Sequence, residues 1–160
     1  MAMLQAPPNV DIQPTLGVAG GAVGAFLTTL IVGAIMIAVA PEFTERMMDD
    51  VVETPVGSFA YGIVALLALF VVIFILVITI IGILIAIPLA LVAWVVWAVG
   101  AVIAYLAIAD RLIGRDDGWL KPLLLAAGLN GLLTITGIGG LISLCIGAAG
   151  FGAVLRSQLG

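Results

Sequence analysis

The sequence predicts an all-α, polytopic helical membrane protein, and three observations carry that prediction. Residues 59–109 run for 51 positions without one charged side chain. Hydrophobic residues make up 64% of the 160-residue chain and charged residues 9%, where a soluble domain is roughly half apolar and a quarter charged. Apart from Asp11, the charges gather in two short polar segments and near the C-terminus. An uncharged helix of 51 residues would measure roughly 75 Å, against a hydrocarbon core about 30 Å thick. The run must therefore fold back on itself. Gly82 and Pro88, near its middle, are the residues that suggest the turn.

The elements follow in order. Residues 1–16 are polar and lack the basic n-region of a signal peptide, so they read as an extracytoplasmic tail. Residues 17–40 are apolar and long enough to span. Ala38-Val39-Ala40 imitates a cleavage site, but Pro41 follows directly and blocks it, so the segment reads as a retained first helix. Residues 41–54 place Phe43, Met47 and Val51 at i, i+4 and i+8, the pattern of a short amphipathic helix lying at the interface. Pro41 suits its start and Pro55 its stop. Spans at residues 59–81 and 88–109 come next, then a polar segment at 110–121. The last apolar stretch, residues 122–155, is too long for one span and tight for two. A β-branched and glycine-rich interruption containing Gly137, Gly139 and Gly140 divides it into helices at 122–133 and 141–155. Each is near the lower length limit, so local thinning or burial in the bundle must help.

Charge placement supports five crossings. Arg46, Arg111, Arg115, Lys121 and Arg156 are all the basic residues, and five crossings put all of them on one side. By the positive-inside rule the N-terminus is outside and the C-terminus cytoplasmic, with Tyr61, Tyr105 and Trp119 near the cytoplasmic interface. A faint internal echo, residues 79–83 against 134–138, falls at the two outer turns.

Composition excludes several functions. The net charge of −4 argues against nucleic acid as a partner, and acidic loops against a lipid-binding basic patch. Those loops would suit a protein bathed in high salt, such as that of a halophilic archaeon. With no histidine there is no His-based acid–base pair or His-ligated metal. Cys145, the single cysteine, has no visible activating base and reads as a small packing residue. Asp49, Asp50 and Glu53 could together hold a divalent cation; a solvated helix face explains the same spacing. No nucleotide loop, protease motif or lipidation signal is present, and the chain is expected to be neither an enzyme nor a cofactor binder.

What remains is packing. Gly17, Gly20, Gly21 and Gly24 form a small-residue stripe on the first helix, of the kind that lets backbones approach in lipid. Packing within the bundle is one reading, and a homo-oligomeric face is the sharper one. The same spacing recurs at Gly100 and Ala104, Ala127 and Gly131, and Ala148 and Gly152. Polar groups within the spans are few: Thr28, Thr29, Asn130 and Ser143, with Thr134 and Thr136 at the second turn. Asn130 is expected to hydrogen-bond between helices. Trp94 and Trp97 read as bundle or lipid contacts. No titratable acid or base lies at membrane depth, which disfavours an ion-coupled transporter.

The order of these features resembles a membrane domain of prokaryotic envelope proteins, where it follows a bactofilin-like, polymer-forming β-helix domain. The matching pieces are residues 26–43, ending Ala40-Pro41-Glu42-Phe43, then Thr54-Pro55 with Gly57-Ser58. Thr79, Gly82 and Ile87-Pro88-Leu89-Ala90 follow at the first turn, and residues 137–143 at the second. The resemblance implies an anchor for an extracytoplasmic module. Here the 16 residues ahead of the first helix are too few for the β-helix, and the first cytoplasmic loop, basic in many relatives, is acidic. The expectation is a multi-pass scaffold or anchor in the cell membrane. Its partners would be the lipid bilayer, a second copy, or an envelope or filament protein bound in trans. A small channel or transporter subunit is the alternative.

Overall fold

The computed structural model describes residues 12–136 and 138–159. Among them are six helices and no strand: α1 (Ile12–Val39), α2 (Pro41–Glu53), α3 (Pro55–Val77), α4 (Ile80–Ile113), α5 (Leu120–Ile135) and α6 (Gly139–Leu159). Four stretches are long and apolar enough to cross a membrane: Leu16–Val39, Pro55–Val77, Ile80–Ile113 and Gly139–Gln158. The apolar α5 is shorter. The apolar window of α3 is only 6% buried within the protein, so Phe70, Phe74 and Ile75 present their surfaces outward. Water does not tolerate so continuous an apolar face. The chain is a multi-pass helical membrane protein.

Proline sets the first two breaks. Pro41 and Pro55 each open a helix, where the missing N–H is no loss. Between them α2 turns Met47, Met48 and Val51 inward, and they join the core built by α4 around Val102, Ile103 and Leu106. Its acidic face stays outside. The 114–119 loop uses two left-handed glycines, Gly114 (φ 69°) and Gly118 (φ 98°). Arg115 ties that loop down, with Nη1 3.0 Å from Glu45 on α2 and Nε 2.9 Å from Asp110, its guanidinium 4.7 Å over the Trp119 ring. Lys121 pairs with Asp117.

The long uncharged run folds back where the sequence did not place the turn. The reversal is at Ile78–Thr79, and Pro88 lies inside α4 instead of at a turn. A threonine cap decides this. Thr79 takes an extended conformation (φ −106°, ψ 140°), and its Oγ1 accepts from the Gly82 N–H at 3.0 Å. That satisfies one of the free donors of the new helix. Gly82 belongs to this cap, because a Cβ there would strike the Leu76 carbonyl and Thr79 Oγ1. Pro88 leaves the Leu84 carbonyl without its helical donor, an interruption that membrane helices tolerate.

The second reversal shares part of this construction, although there the Gly139 N–H donates to the Thr136 carbonyl (2.9 Å) and not to its hydroxyl. Thr136 Oγ1 donates to Leu133 O (2.9 Å) as Thr79 Oγ1 donates to Leu76 O (3.0 Å). A Cβ on Gly139 would strike Leu133 O and Thr136 Oγ1, as one on Gly82 would strike Leu76 O and Thr79 Oγ1. The repeated unit is therefore Leu-x-x-Thr-x-x-Gly, at 76–82 and 133–139. The echo noted in the sequence is real but pairs Thr79 with Thr136, two residues beyond the Thr134 pairing. Gly137 lies outside the described residues, and Gly140 sits in the first turn of α6.

Helices α1 and α5 lie antiparallel: Gly21 approaches Thr134 at one end and Gly33 approaches Leu123 at the other. Helix α6 wedges between α3 and α4. On α3 its backbone meets Ser58 and Gly62 at Ala148 and Gly152, and on α4 it meets Gly100 at Gly150 and Phe151. Its direction relative to α4 follows from one distance. From the Gly100–Gly150 contact, Tyr105 lies five residues on and Ser143 seven residues back, yet their hydroxyls are 2.8 Å apart. Parallel helices would separate them by about 18 Å along the axis at about 1.5 Å per residue. So α6 crosses α4 steeply or runs against it, and it does not lie alongside in the same sense.

Candidate site in the helical bundle

Polar side chains are scarce in the long helices, yet most of them meet. Thr28 and Thr29 of α1, Tyr105 of α4, Asn130 of α5 and Ser143 of α6 border one cavity of about 220 Å³. The indoles of Trp94 and Trp97 complete its wall. Antiparallel packing of α1 on α5 brings Asn130 opposite Thr29, and its Nδ2 donates to Thr29 Oγ1 (2.7 Å) and to the Ala25 carbonyl (3.3 Å). The crossing of α6 over α4 brings Ser143 to Tyr105, whose hydroxyl donates to Ser143 Oγ at 2.8 Å. Thr134 turns back on its own helix to the Asn130 carbonyl. Trp97 is wedged against Gly147 and Phe151, the two rings 6.0 Å apart.

The sequence flagged Thr28, Thr29, Asn130 and Ser143 one at a time. It missed Tyr105, read as an interfacial ring. Tyr105 is 1% exposed and packs within the core instead of presenting its ring at the surface. Its hydroxyl needs a partner there, and the only signal was a serine 38 residues away. Cys145 is corrected, since it is exposed on α6 and is not packed inside.

The small-residue stripes divide into two kinds. Gly62, Gly100, Gly131, Gly150 and Gly152 sit against a neighbouring backbone, so that an added Cβ would overlap or crowd it. On α1, Gly21 faces Thr134 at contact distance, but Gly17, Gly20 and Gly24 have no described atom within 4 Å of where a Cβ would stand. Three glycines of that stripe therefore point out of the bundle. Thr28, exposed and four residues beyond Gly24, continues the same line to the edge of the polar cavity.

A second polar hollow, of about 270 Å³, lies where α2, α3 and the end of α6 meet, lined by Asp50, Glu53, Thr54, Ser58 and Arg156. Arg156 Nη1 donates to Thr54 Oγ1 at 3.2 Å. Among the described residues no group of three or more His, Cys, Asp or Glu is placed to hold a metal ion, Asp49, Asp50 and Glu53 included.

The whole chain, residues 1–160, matches the family described as a domain of unknown function (DUF8173), and the protein belongs to that family. No curated protein and no solved structure matches it.

Proposed function

We propose that this member of the DUF8173 family is a non-catalytic membrane scaffold or anchor of the cell envelope that associates through α1. The observation that carries the reading is the outward stripe of Gly17, Gly20 and Gly24, left open while Gly62 of α3, Gly100 of α4 and Gly150 and Gly152 of α6 are consumed by internal contacts. In lipid there is no hydrophobic drive between helices, and close backbone approach is what small residues offer. The partner is a second copy, or an envelope or filament protein engaged in trans. The chain stands with its N-terminus outside and its C-terminus in the cytoplasm. Two contacts support that arrangement. Arg115 joins the 110–121 loop to α2 through Glu45, and Arg156 joins the end of α6 to Thr54 at the end of α2. The basic residues thus cluster around one surface helix, as the positive-inside rule requires. The role needs no cofactor, and a net charge of −4 makes nucleic acid an unsuitable partner.

Crosslinking in native membranes tests the association. Gly20→Leu with Gly24→Leu should abolish a dimer or partner band while the monomer still folds, because neither glycine has a described atom within 4 Å of where a Cβ would stand. An unchanged crosslinking pattern would refute the reading. The uncharged polar cavity favours a second reading, a small channel or transporter subunit. Solute flux into proteoliposomes containing the purified protein tests it, and flux equal to that of protein-free vesicles counts against it.

A further inference from the structure

The polar cavity has more hydrogen-bonding capacity than the protein itself uses. Asn130 spends its amide N–H groups on Thr29 and Ala25, and its Oδ1 finds no donor among the described residues. Tyr105 spends its proton on Ser143. The hydroxyl protons of Thr28, Thr29 and Ser143 find no acceptor among the described residues. Polar groups left dry in an apolar surround are costly, and interhelical bonding alone would call for tight contact. A half-open hollow of about 220 Å³ is instead large enough for roughly seven waters at about 30 Å³ each. No residue that borders it is charged, so no opposite charge offsets the desolvation of an ion. The indoles of Trp97 and of Trp94, itself 63% exposed, add apolar lining beside the amide and hydroxyls, a mixture that suits a molecule with a carbon skeleton and several small polar groups.

We propose that this cavity is hydrated and binds small uncharged solutes bearing hydroxyl or amide groups, of the size of glycerol or urea, while excluding ions. The inference is separate from the scaffold reading, because it concerns the lining of one copy; Thr28 lies on the line of the α1 stripe, so the tryptophan measurement below, which leaves Thr28 untouched, keeps the two apart.

The full chain in proteoliposomes, carrying Cys145→Ala, provides the test. Cys145 lines a different groove, with Val51 and Ala104, so its removal leaves the cavity intact. A single cysteine is then introduced at Thr28, at lipid-exposed Val71, or at Asp116 in the 114–119 loop. Each is treated with methyl methanethiosulfonate, a small uncharged reagent that reacts with the thiolate, which forms only where the thiol is hydrated. Thr28→Cys should react at least about tenfold faster than Val71→Cys, since only a hydrated thiol ionises. Glycerol or urea should slow Thr28→Cys severalfold and leave Asp116→Cys unaffected. A Thr28→Cys protein as inert as Val71→Cys would overturn the proposal. So would reactivity that neither solute slows, which would mean a cavity holding water only.

A second measurement leaves Thr28 untouched. In Trp119→Phe the remaining tryptophans, Trp94 and Trp97, both border the cavity. Acrylamide, a small neutral amide, should quench them more strongly than iodide in proteoliposomes. Equal quenching by the two, or none by either, would overturn the proposal.

Discussion

Replacing Gly100 with alanine adds one methyl group at the tightest kind of contact in the bundle. The new Cβ would stand 2.7 Å from the Phe151 Cα, where ordinary contact begins at 3.4 Å, and closer still to the Phe151 nitrogen. The obstacle is helix backbone, so no rotamer change relieves it. Helices α4 and α6 must part by roughly 0.7 Å or more, in a range where pair contacts lose about a quarter to a half of their dispersion energy. Overpacking of this kind costs about 1–3 kcal/mol. Alanine's better helix propensity returns about 0.5–1 kcal/mol. The net expectation is destabilisation of about 1–2 kcal/mol. Gly20→Ala is the control, because it gains the same propensity with no described atom within 4 Å. Reversible unfolding in mixed micelles by added SDS, followed by tryptophan fluorescence, measures both. A Gly100→Ala protein as stable as the wild type, or a Gly20→Ala protein destabilised as much as Gly100→Ala, would refute the reasoning.

Other outcomes follow from single residues. Thr79→Ala removes the cap on Gly82 and should cost about 1 kcal/mol in the same titration, and an unchanged midpoint would mean the cap is not what sets the turn. Arg115→Ala breaks the pairs with Glu45 and Asp110 at a partly exposed site, so the loss should be about 1 kcal/mol or less and should shrink as salt is raised. A loss independent of ionic strength would point to the Trp119 stack instead. Cysteines placed at Asn9 and Asp116 in intact cells should be labelled from outside and inside respectively, and equal labelling at both would rule out the proposed orientation.

The helices were legible because charge and hydropathy divide this chain so sharply. The 59–109 run could only be a hairpin, and Pro41 opens a helix as its ring chemistry demands, whereas Pro55, read as a stop, also opens α3 four residues before the expected span. The position of the hairpin turn was not legible by the same logic. Pro88 is the stronger helix breaker in water, but in a bundle its missing N–H is tolerated, whereas the side chain of Thr79 supplies a cap. Hydropathy does not distinguish an isoleucine-rich cap from an isoleucine-rich helix. The cavity was half legible. Thr28, Thr29, Asn130 and Ser143 stood out as polar among apolar neighbours, but their meeting depends on α5 lying antiparallel to α1 and on α6 crossing α4. Neither arrangement leaves a trace in local pattern. Gly62 and Gly150 escaped notice because each touches a neighbouring backbone only where α6 packs, against α3 and α4 respectively.

The two Leu-x-x-Thr-x-x-Gly reversals bear on how the chain enters a bilayer. Neither contains a charged residue, and a charge at the centre of an inserting helix costs about 2.5–3.5 kcal/mol on the insertion scale. Each reversal closes its helices within a few residues, with a threonine hydroxyl bonded to the carbonyl three residues before it. The α3–α4 and α5–α6 pairs can therefore enter as closed hairpins, tip first, with their turn polar groups already engaged and no ionic side chain drawn across. Arg115, Asp116, Asp117 and Lys121 stay behind between the two hairpins. Biogenesis of residues 55–159 then reduces to two insertions of one kind, separated by a loop that, in the proposed orientation, never leaves the side on which it was made.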